Sequence, residues 1–584
     1  MSQKTTNIPT TSKNLVQWWP WGEAALKAAQ DNNKPILLFI NHWTSPKNPT
    51  IKDQFKQTPI AAQMNDTFIC IKLNQDDRPD IAAIYQAVLP QLGQKAAWPL
   101  MLFLTPEAKP YWGNSPLSTE PSRPSLCQIL TFAEKCYKED NEAVTHNAAA
   151  LTELIAPQKP KIKGPDISDH MLRNLAQRLG DMIDNKNGGL RGTPKFPQFP
   201  LFHCLWRLGE RFTINTAKQQ VEHFLTNLFQ GGIYDHVSGG LAHAAKDEHW
   251  RIPLHVEKTL YDNALMLELA ILVYQETRAP LFKHRCEEII EWAVRDMHKK
   301  NRTFAARIRP YERDKTSNFW QAETIKEVLA ENYELYVQTY NIKVEENKQT
   351  EIYPHRSLET PPPADTEEKT LKSCNAKLHE ARKKHSPSKR DDKTLTDANA
   401  MMIVSLTKAS TTFKRPEWQQ LAEATFQALE QIMMQETTQS HCLSPNEHPT
   451  PALINDYAQI IKASLALYSI TTNKHYLNQA ENWTKQLNDD FWCNEVGGYF
   501  TSSKRRTDVL IRGKTGADDT CPNANGIMVS NLMQLYNLTG DDAYQQQAKN
   551  IISAFGAAMA KNIFSHLTLF NSAMDILNQK PTQQ

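Results

Sequence analysis

The sequence predicts an α/β domain followed by a larger all-α domain. Short strands alternate with helices from Trp18 to about Tyr137, whereas amphipathic helical segments follow one another from about Asp166 onward with little strand pattern. Glycine pairs recur at several junctions between the later helices. A chain of 584 residues is long enough to form two such domains, each with its own hydrophobic core.

The composition is that of a soluble globular protein, with 40% hydrophobic and 22% charged residues. A formal net charge of +2 indicates neither a nucleic-acid nor a membrane partner. The first residues contain no apolar run suited to a secretory signal, and no segment approaches the roughly 18 consecutive apolar residues of a membrane span. We therefore expect a cytoplasmic protein, with nine scattered, reduced cysteines and no Cys-x-x-Cys pair.

The first domain has a regular order of elements between its start and Tyr137. Apolar runs bounded by turn residues predict buried strands, and segments of period 3.6 predict helices. The predicted elements are a helix at 22–30, strands at 35–40 and 67–73 with a proline-bearing helix between them, a helix at 80–88 and a strand at 100–104. This order is that of a thioredoxin-like domain.

The domain boundaries are predicted from changes in composition. We expect the thioredoxin-like domain at 14–140, a connector at 141–165 that ends in a segment rich in proline and lysine, and the helical domain at 166–580. Within the helical domain, residues 355–392 combine prolines with many charged residues and are expected to form an exposed excursion that is partly helical.

The helical domain repeats one loop motif. Glycine pairs at 188–189, 231–232 and 497–498 are each followed by an apolar or aromatic residue, which predicts repeated helical hairpins whose loops lie on one side. Twelve segments have helical patterning, including one at 322–333, and the last of them ends at 559. Hairpins curved into a ring form an (α/α)6 barrel, and this is the all-α fold we expect.

The stretch from Gly231 to Asn263 carries most of the candidate chemistry. It is polar, glycine-bearing and aromatic, and it leads into a helix whose first turns contain Glu257, Tyr261 and Asp262 before the sequence becomes almost wholly apolar. Such a helix suits the wall of a cavity. The alternative is structural: acidic residues are favoured near any helix N-terminus, and the glycines then only form turns.

Several segments of the chain resemble the spermatogenesis-associated protein 20 family. In the first domain these are KPILLFI, FICIKLNQDDRPDI and WPLMLFLTPEAKP; in the second they are GGLRGTPKFPQFP, GGIYDHVSGG, EKTLYDNA, DDKTLT, NDYA, GGYF and TGDDAY. The resemblance covers nearly the whole chain. It implies a thioredoxin-like domain fused to a six-hairpin glycosidase-like barrel, with a loose assignment to carbohydrate metabolism, although such a fold does not establish an activity.

The resemblance also implies a Cys-x-x-Cys after the first buried strand, but this chain has Ser45-Pro46-Lys47-Asn48 there. A serine hydroxyl does not reach a thiolate-like pKa, and neither Ser45 nor Asn48 can form a disulfide, so we expect a redox-inactive domain. Ser45 before proline fits a helix N-cap. Pro99 occupies the place of the family's cis-proline, so we expect a cis peptide bond at Trp98-Pro99 and a retained binding groove.

The barrel implied by the resemblance points to sugar chemistry, which uses paired carboxyl groups or an acid and a base. The catalytic candidates are Glu257, Asp262 and His255. The ligand-binding candidates are Asp235, His236, Tyr234, Trp250, Tyr261, Asp456, Tyr457 and Asp518. The aromatic members have core packing as their alternative. We expect no cofactor and no metal, because the histidines at 236, 243, 249 and 255 fit no compact zinc motif.

Two departures from the family pattern weaken the enzymatic interpretation. Residues 241–244 read Leu-Ala-His-Ala where the family has Phe-His-Arg-Tyr, and residues 398–400 read Ala-Asn-Ala in place of Trp-Asn-Gly. The favoured hypothesis is a carbohydrate-related binding or processing protein, with hydrolase or epimerase chemistry if it is active. The alternative is a catalytically silent scaffold that binds a protein partner at the groove around Ser45 and Pro99, and a thiol oxidoreductase is the least favoured.

Overall fold

The computed structural model describes residues 15–42, 49–95, 98–114, 124–156, 167–309, 320–342, 352–356, 365–385, 388–434, 439–444 and 449–578. The chain divides into two compact units. The first comprises Met1–Lys159 with Phe500–Lys514, and the second comprises Pro160–Tyr499 with Thr515–Gln584. Among the residues described, no helix combines the length and the apolar composition needed to cross a membrane.

The first unit is a mixed sheet with helices on both faces. Its elements are β1 (Trp18–Trp19), α1 (Glu23–Asp31), β2 (Ile36–Asn41), α2 (Pro49–Gln54), α3 (Thr58–Thr67), β3 (Ile69–Asn74), α4 (Pro79–Gln86), α5 (Val88–Gln91), β4 (Leu100–Leu104), β5 (Pro110–Asn114), α6 (Leu126–Glu139) and α7 (Asn141–Ile155). The strand order is β1-β3-β2-β4-β5. β3 runs parallel to β1 and β2, whereas β4 is antiparallel to β2 and β5.

The central strand β2 separates two hydrophobic cores because successive side chains of a strand point to opposite faces. Leu37 and Phe39 belong to one core, with α3 and α6, while Ile36, Leu38 and Ile40 belong to the other, with α1 and α4. The thioredoxin-like fold predicted from the order of elements is therefore confirmed.

The peptide bond at Trp98-Pro99 is cis, as expected. The Trp98 ring stacks on His42 with centroids 5.2 Å apart. Ser45 and Asn48, the positions that replace the redox cysteines, lie outside the described residues.

Two segments of the first unit differ from the predicted boundaries. The helix α7 occupies the part of the chain expected to begin the connector; it packs against β5 and buries Val144, Ala148 and Leu151 at helical spacing. Residues 500–514 also belong to this unit. There Arg78 Nη1 donates to Asp508 Oδ2 at 2.6 Å, in addition to two bonds to Asp80 at 2.8 and 2.9 Å.

The second unit is almost entirely helical. Its elements are α8 (Asp169–Met182), α9 (Phe199–Phe212), α10 (Asn215–Gln230), β6 (Ala244–Ala245), β7 (Pro253–His255), β8 (Lys258–Thr259), α11 (Leu260–Thr277), α12 (Pro280–Trp292) with a π-helical turn (Ala293–Met297), β9 (Arg307–Arg309), α13 (Ala322–Leu329) with a 3-10 turn (Ala330–Asn332), α14 (Tyr333–Thr339), α15 (Asp365–His385), β10 (Lys389–Asp391), β11 (Thr394–Leu395), α16 (Thr396–Phe413), α17 (Pro416–Met433), β12 (Cys442–Leu443), α18 (Ile454–Thr471), α19 (Lys474–Phe491), α20 (Ala524–Thr539), α21 (Asp542–Lys561), a 3-10 turn (Ile563–Ser565) and α22 (Leu567–Leu577).

Six of these helices form a closed inner ring. The helices α9, α11, α16, α18, α20 and α22 contact one another in that order, and α22 contacts α9. Outer helices α8, α10, α12, α17, α19 and α21 alternate with them along the chain and pack on the ring from outside. This is the predicted (α/α)6 barrel, and the fold is confirmed.

Two of the helix predictions for the ring were wrong. The helix predicted at 322–333 is α13 with its 3-10 turn, which packs in a separate small hydrophobic cluster with α14 and α15. The sixth inner helix, α22, was not predicted. It is short, and it buries seven of its first eight residues, and periodicity alone does not decide whether such a short apolar run is a helix.

The predicted exposed excursion at 355–392 contains the helix α15, and one face of that helix is buried. Leu371, Cys374 and Leu378 pack with α13 and α14. At the end of this helix Arg382 forms an ion pair with Asp235 at 2.5 Å. This part of the segment is therefore held against the barrel loops, because α15 supplies apolar residues at helical spacing between its charged ones.

Three glycine-pair loops share one backbone conformation. They are the segments 184–189, 235–240 and 493–498, and in each the first residue bonds to both glycines. Its carbonyl accepts the N–H of the first glycine, and its own N–H donates to the carbonyl of the second. Both glycines of each pair have φ between 71° and 83°, a region that side chains disfavour. The predicted pair at 231–232 is not part of this repeat. A Cβ on Gly231 would lie 2.5 Å from the Trp250 carbonyl oxygen, so close packing explains that glycine.

An asparagine near the start of three inner helices fixes the chain that follows a hairpin loop. Asn263 accepts from the Leu241 N–H at 2.7 Å and donates to its carbonyl at 3.2 Å. Asn399 makes the same pair of bonds to Phe304, at 2.7 and 3.1 Å, and Asn525 to Tyr499, at 2.8 and 3.1 Å. We call these three the asparagine clamps.

The clamps predict a measurable loss of stability. Asn399→Ala leaves the buried N–H and carbonyl of Phe304 without their side-chain partner, which costs about 3 kcal/mol of unfolding free energy. The matched control is Asn550→Ala, on the exposed face of α21, with an expected effect within about 0.5 kcal/mol. Thermal unfolding of both variants by calorimetry tests this, and equal midpoints for the two would contradict the role of the clamp.

Candidate active site at the barrel mouth

The inner helices all begin at the same end of the ring, because each is joined to the next through an outer helix that returns the chain. We call this end the barrel mouth. It consists of the first turns of α11, α16 and α18 together with the loops that precede them. Five side chains there form what we call the mouth cluster: His243, Asp262, Asp397, His441 and Asp456.

The first part of the cluster is a buried histidine–carboxylate pair. His243 Nδ1 lies 2.8 Å from Asp262 Oδ2, and both residues are at most 5% exposed. The Thr259 hydroxyl donates to the same carboxylate at 2.6 Å and, as the N-cap of α11, accepts the Asp262 N–H. Burial acts to lower the pKa of His243, but Asp262 and, more weakly, Glu257 outweigh it and raise that pKa.

The predicted catalytic candidates surround this pair. The His255 ring centroid is 6.2 Å from that of His243, and the Tyr261 ring meets it edge-on at 6.3 Å. Burial, reinforced by His243, lowers the pKa of His255, and burial raises the pKa of Tyr261 well above its ordinary value. The structure thus brings His255, Glu257, Tyr261 and Asp262 together around His243.

The second part of the cluster is another histidine–carboxylate pair, on the neighbouring helices. His441 Nδ1 lies 2.9 and 3.1 Å from the two carboxylate oxygens of Asp456, which is completely buried. The backbone N–H groups of Leu453 and Asp397 also donate to this carboxylate, at 2.8 and 3.2 Å. Burial raises the pKa of Asp397, and the charge of Asp456 adds to that effect while His441 opposes it.

Asp397, His441 and Asp456 place one potential ligand atom each within 4.8 Å of one another. They are therefore the group in the described part of the chain that could hold a metal ion. However, both oxygens of Asp456 already accept a backbone N–H and His441 Nδ1. This arrangement favours a hydrogen-bonded acid–base set over a metal centre.

Carboxylates from both parts of the cluster act on Cys521. Burial, together with the charges of Asp397 and Asp262, raises the pKa of this thiol well above its ordinary value. A thiol with so high a pKa stays protonated and is not suited to act as a nucleophile.

Four of the predicted ligand-binding residues are bonded within the loop scaffold instead. Asp235 pairs with Lys258 at 2.6 Å and with Arg382, and these cations outweigh burial to keep its pKa far below the usual range. Tyr234 donates to Glu288 at 2.7 Å. His236 lies 3.1 Å from the Gly231 carbonyl and 3.2 Å from Arg285. Trp250 is fully buried and donates to the Asn187 carbonyl at 3.0 Å.

The other predicted ligand-binding residues lie nearer the inner ring. Asp456 belongs to the mouth cluster, and the buried Tyr457 beside it donates its hydroxyl to Gln439. Asp518 accepts the backbone N–H groups of Asn523 and Thr568, both at 2.9 Å, and so joins the loop before α20 to the start of α22.

Sequence reasoning did not select His243, Asp397 or His441 for the site. Asp397 had a usable signal, since Lys-Thr-Leu-x-Asp occurs both at 258–262 and at 393–397, and the two aspartates occupy equivalent first turns of α11 and α16. His441 had no such signal in the sequence, because only the fold brings its partner Asp456 into contact with it.

A cavity of about 260 Å³ lies among the inner helices, next to the mouth. Leu265, one turn from Tyr261, and Pro522, which follows Cys521, form part of its wall. The full lining is Phe199, Pro200, His203, Arg207, Leu265, Glu268, Leu269, Lys408, Lys462, Pro522, Ile527, Ser530, Asn531, Gln534, Thr568, Asn571 and Asp575. The wall is thus rich in hydroxyl, amide and charged groups.

The family model described as "Protein of unknown function, DUF255", a DsbH-type thioredoxin-like family, matches residues 1–156. Spermatogenesis-associated protein 20 of Rattus norvegicus is 23% identical to this chain over 96% of the chain and 78% of the relative. An uncharacterized protein of Caenorhabditis elegans is 25% identical over 92% and 80%. The predicted family resemblance is confirmed. It extends over both units of the chain.

Solved structures with similar folds include a D-mannose isomerase, 10% identical, covering 70% of this chain and 98% of its own with a TM-score of 0.46. The cellobiose 2-epimerase of Bacillus thermoamylovorans is 9% identical, covering 67% and 87%, with a TM-score of 0.43. Similarity at this level does not indicate the activity of this chain.

The His243–Asp262 pair predicts a pH-dependent stability. Folding raises the pKa of His243 above its ordinary value, so the stabilisation is present below about pH 6.5 and is lost as the pH rises through the folded pKa. Asp262→Asn removes the charge responsible. The wild-type protein should therefore lose more thermal stability than Asp262→Asn between about pH 6 and pH 8. Parallel pH curves for the two would contradict the pairing, and the exposed Asp181→Asn is the control that should follow the wild type.

Proposed function

We propose that the barrel mouth binds a sugar-like small molecule and transfers protons on it, as an isomerase or epimerase does. The observation that carries this is the pair of buried histidine–carboxylate units on neighbouring inner helices, His243–Asp262 and His441–Asp456, with Asp397 beside them. An epimerisation needs one group that removes a proton and another that returns one. Two imidazoles and a carboxyl group of raised pKa supply those roles.

The two pairs orient the histidines for this chemistry. Each histidine uses Nδ1 for its carboxylate, and we assign proton exchange with a substrate to the other ring nitrogen, Nε2. Asp262 raises the pKa of His243, which strengthens this imidazole as a base near neutral pH. Asp397, whose pKa is raised, is the group suited to keep a proton and donate it.

Hydrolysis of a glycosidic bond is less well supported by the same geometry. It uses two carboxyl groups, one as the acid and the other as nucleophile or base. The carboxylates of Asp262 and Asp456 already accept bonds from histidine, threonine hydroxyl or backbone groups. Neither of them is then available to Asp397 as the carboxylate that attacks a sugar or activates a water, which leaves Glu257, whose charge acts on His243, as the remaining candidate.

A sugar-like ligand is supported by the cavity next to the mouth. Its hydroxyl and amide groups, such as those of Ser530, Asn531, Gln534 and Asn571, match the donors and acceptors of a polyhydroxylated molecule. The volume of about 260 Å³ is near the lower end for small-molecule sites. Both features support a ligand of monosaccharide size.

The test combines binding with solvent exchange. Free, phosphorylated and amino sugars are screened by thermal shift, where a ligand at 100 times its dissociation constant stabilises the folded protein by about 2.7 kcal/mol. Sugars that bind are then incubated with the protein in deuterium oxide, and deuterium incorporation at carbon is followed by NMR. We expect incorporation with the wild-type protein and a loss of at least about 100-fold with His243→Gln.

His170→Gln, an exposed substitution on α8, is the matched control and should leave both binding and exchange unchanged. Binding without exchange would reject the proton-transfer role but keep the sugar site. No shift with any sugar would reject both, and would favour the silent scaffold with a protein partner at the groove near Pro99.

A further inference from the structure

A layer of charged residues crosses the middle of the inner ring. Arg207, Glu268, Lys462 and Asp575 are each the ninth residue of their helix, on α9, α11, α18 and α22. The interior of such a ring is otherwise a place for apolar side chains. Glu268 is six residues beyond Asp262 on α11, so the layer lies about 9 Å further along that helix than the mouth.

With Lys408 of α16 added, the cations of this layer outnumber its carboxylates. Glu268 accepts from both Lys408, at 2.7 Å, and Lys462, at 2.9 Å. Arg207 is matched by Asp575 at 2.6 Å. These five side chains all line the cavity of about 260 Å³. One carboxylate therefore serves two ammonium groups, and the cavity wall carries one positive charge in excess.

Neighbouring groups do not cancel that charge. His203 also lines the cavity, but burial lowers its pKa to about 3, so it is neutral at neutral pH. Burial and the nearby Lys408 lower the pKa of Lys462. Both pKa shifts are caused first by burial, and the neighbouring cations add to them while Glu268 opposes them.

The two lysines are able to contact a ligand. Their side chains are 43% and 27% exposed for Lys408 and Lys462. An ammonium group has three N–H donors. The bonds to Glu268 use one of them in Lys408 and two in Lys462. Asn571 Oδ1, in the same wall, is buried and has no hydrogen-bond partner among the residues described, and it can accept from a ligand hydroxyl.

A purely structural ion layer is the alternative. In such a layer we expect each cation to pair with its own carboxylate, as Arg207 and Asp575 do. The second lysine on Glu268 does not fit that purpose. It does fit a site that is completed by an incoming anion.

We propose that the substrate of the barrel is an anionic sugar, phosphorylated or carboxylated, whose anion binds Lys408 and Lys462 while its ring extends toward the mouth cluster. This rests on the proposed sugar site and adds the substrate class. Charge-assisted hydrogen bonds from both lysines hold the anion. The distance along the inner helices between the two lysines and the mouth cluster then determines which carbon of the sugar lies against His243 and Asp397.

The test compares neutral and anionic members of one sugar series. Glucose and mannose, their 6-phosphates, glucuronate and inorganic phosphate are titrated into the full-length protein by calorimetry. We expect the anionic sugars to bind at least about tenfold more tightly than their neutral parents. Lys462→Gln should reduce that advantage to about twofold, and Lys408→Gln should do so as well while leaving Glu268 one lysine partner. Lys485→Gln, exposed on α19, should change nothing.

The outcomes separate this inference from the proposed function. Equal affinity for neutral and anionic sugars, lost in Asp262→Asn, would overturn the anion site while keeping the sugar site at the mouth. An anionic preference that persists in both lysine variants would also overturn it.

Lysine-dependent binding of inorganic phosphate as tight as that of the sugar phosphates would support the anion site and count against the sugar. No binding of any probe would reject both proposals, and a preference confined to phosphates or to glucuronate would decide between the two anions.

Discussion

The asparagine clamps are the constraint on which the mouth of the barrel depends. Each clamp uses one side-chain amide to satisfy both the N–H and the carbonyl of a residue in the hairpin connection, so the loop cannot shift along the helix without breaking two buried bonds. His243 lies only two residues after Leu241, the clamped residue. Its imidazole is therefore placed against Asp262 by a bond made elsewhere on the same helix.

The same logic explains why chemistry is concentrated at the starts of the inner helices. The buried bodies of those helices supply a rigid ring, while their first turns carry the aspartates and receive the loops. Carboxylates there gain from the helix N-terminus and from capping bonds. Function and structure use the same residues at this place. Asp262 illustrates this, because its backbone N–H donates to the N-cap Thr259 while its carboxylate binds His243.

Much of the architecture could be predicted from the sequence, and the failures have physical causes. The order of strands and helices along the first domain follows from apolar runs and helical periodicity, and Asp262 was selected because it lies in the first turn of an obvious helix. The helix α22 was missed because it is a short, mostly apolar segment, and periodicity alone does not assign such a segment to a helix. His441 was missed because its contact with Asp456 is tertiary. Asp235 and Tyr234 were selected by residue type alone. Only the structure shows that Asp235 is bonded to Arg382 and that Tyr234 is bonded to Glu288.

The glycine-pair loops are secured by different side chains. In two of them a lysine ammonium joins the loop's aspartate to its first glycine carbonyl: Lys195 bridges Asp184 and Gly188, both at 2.7 Å, and Lys258 bridges Asp235 and Gly239, both at 2.6 Å. The third loop has Cys493 in place of the aspartate, and a thiol is a weak acceptor. In the first two loops the lysine neutralises the aspartate within the loop, so a ligand that enters over that part of the rim meets neither carboxylate unpaired.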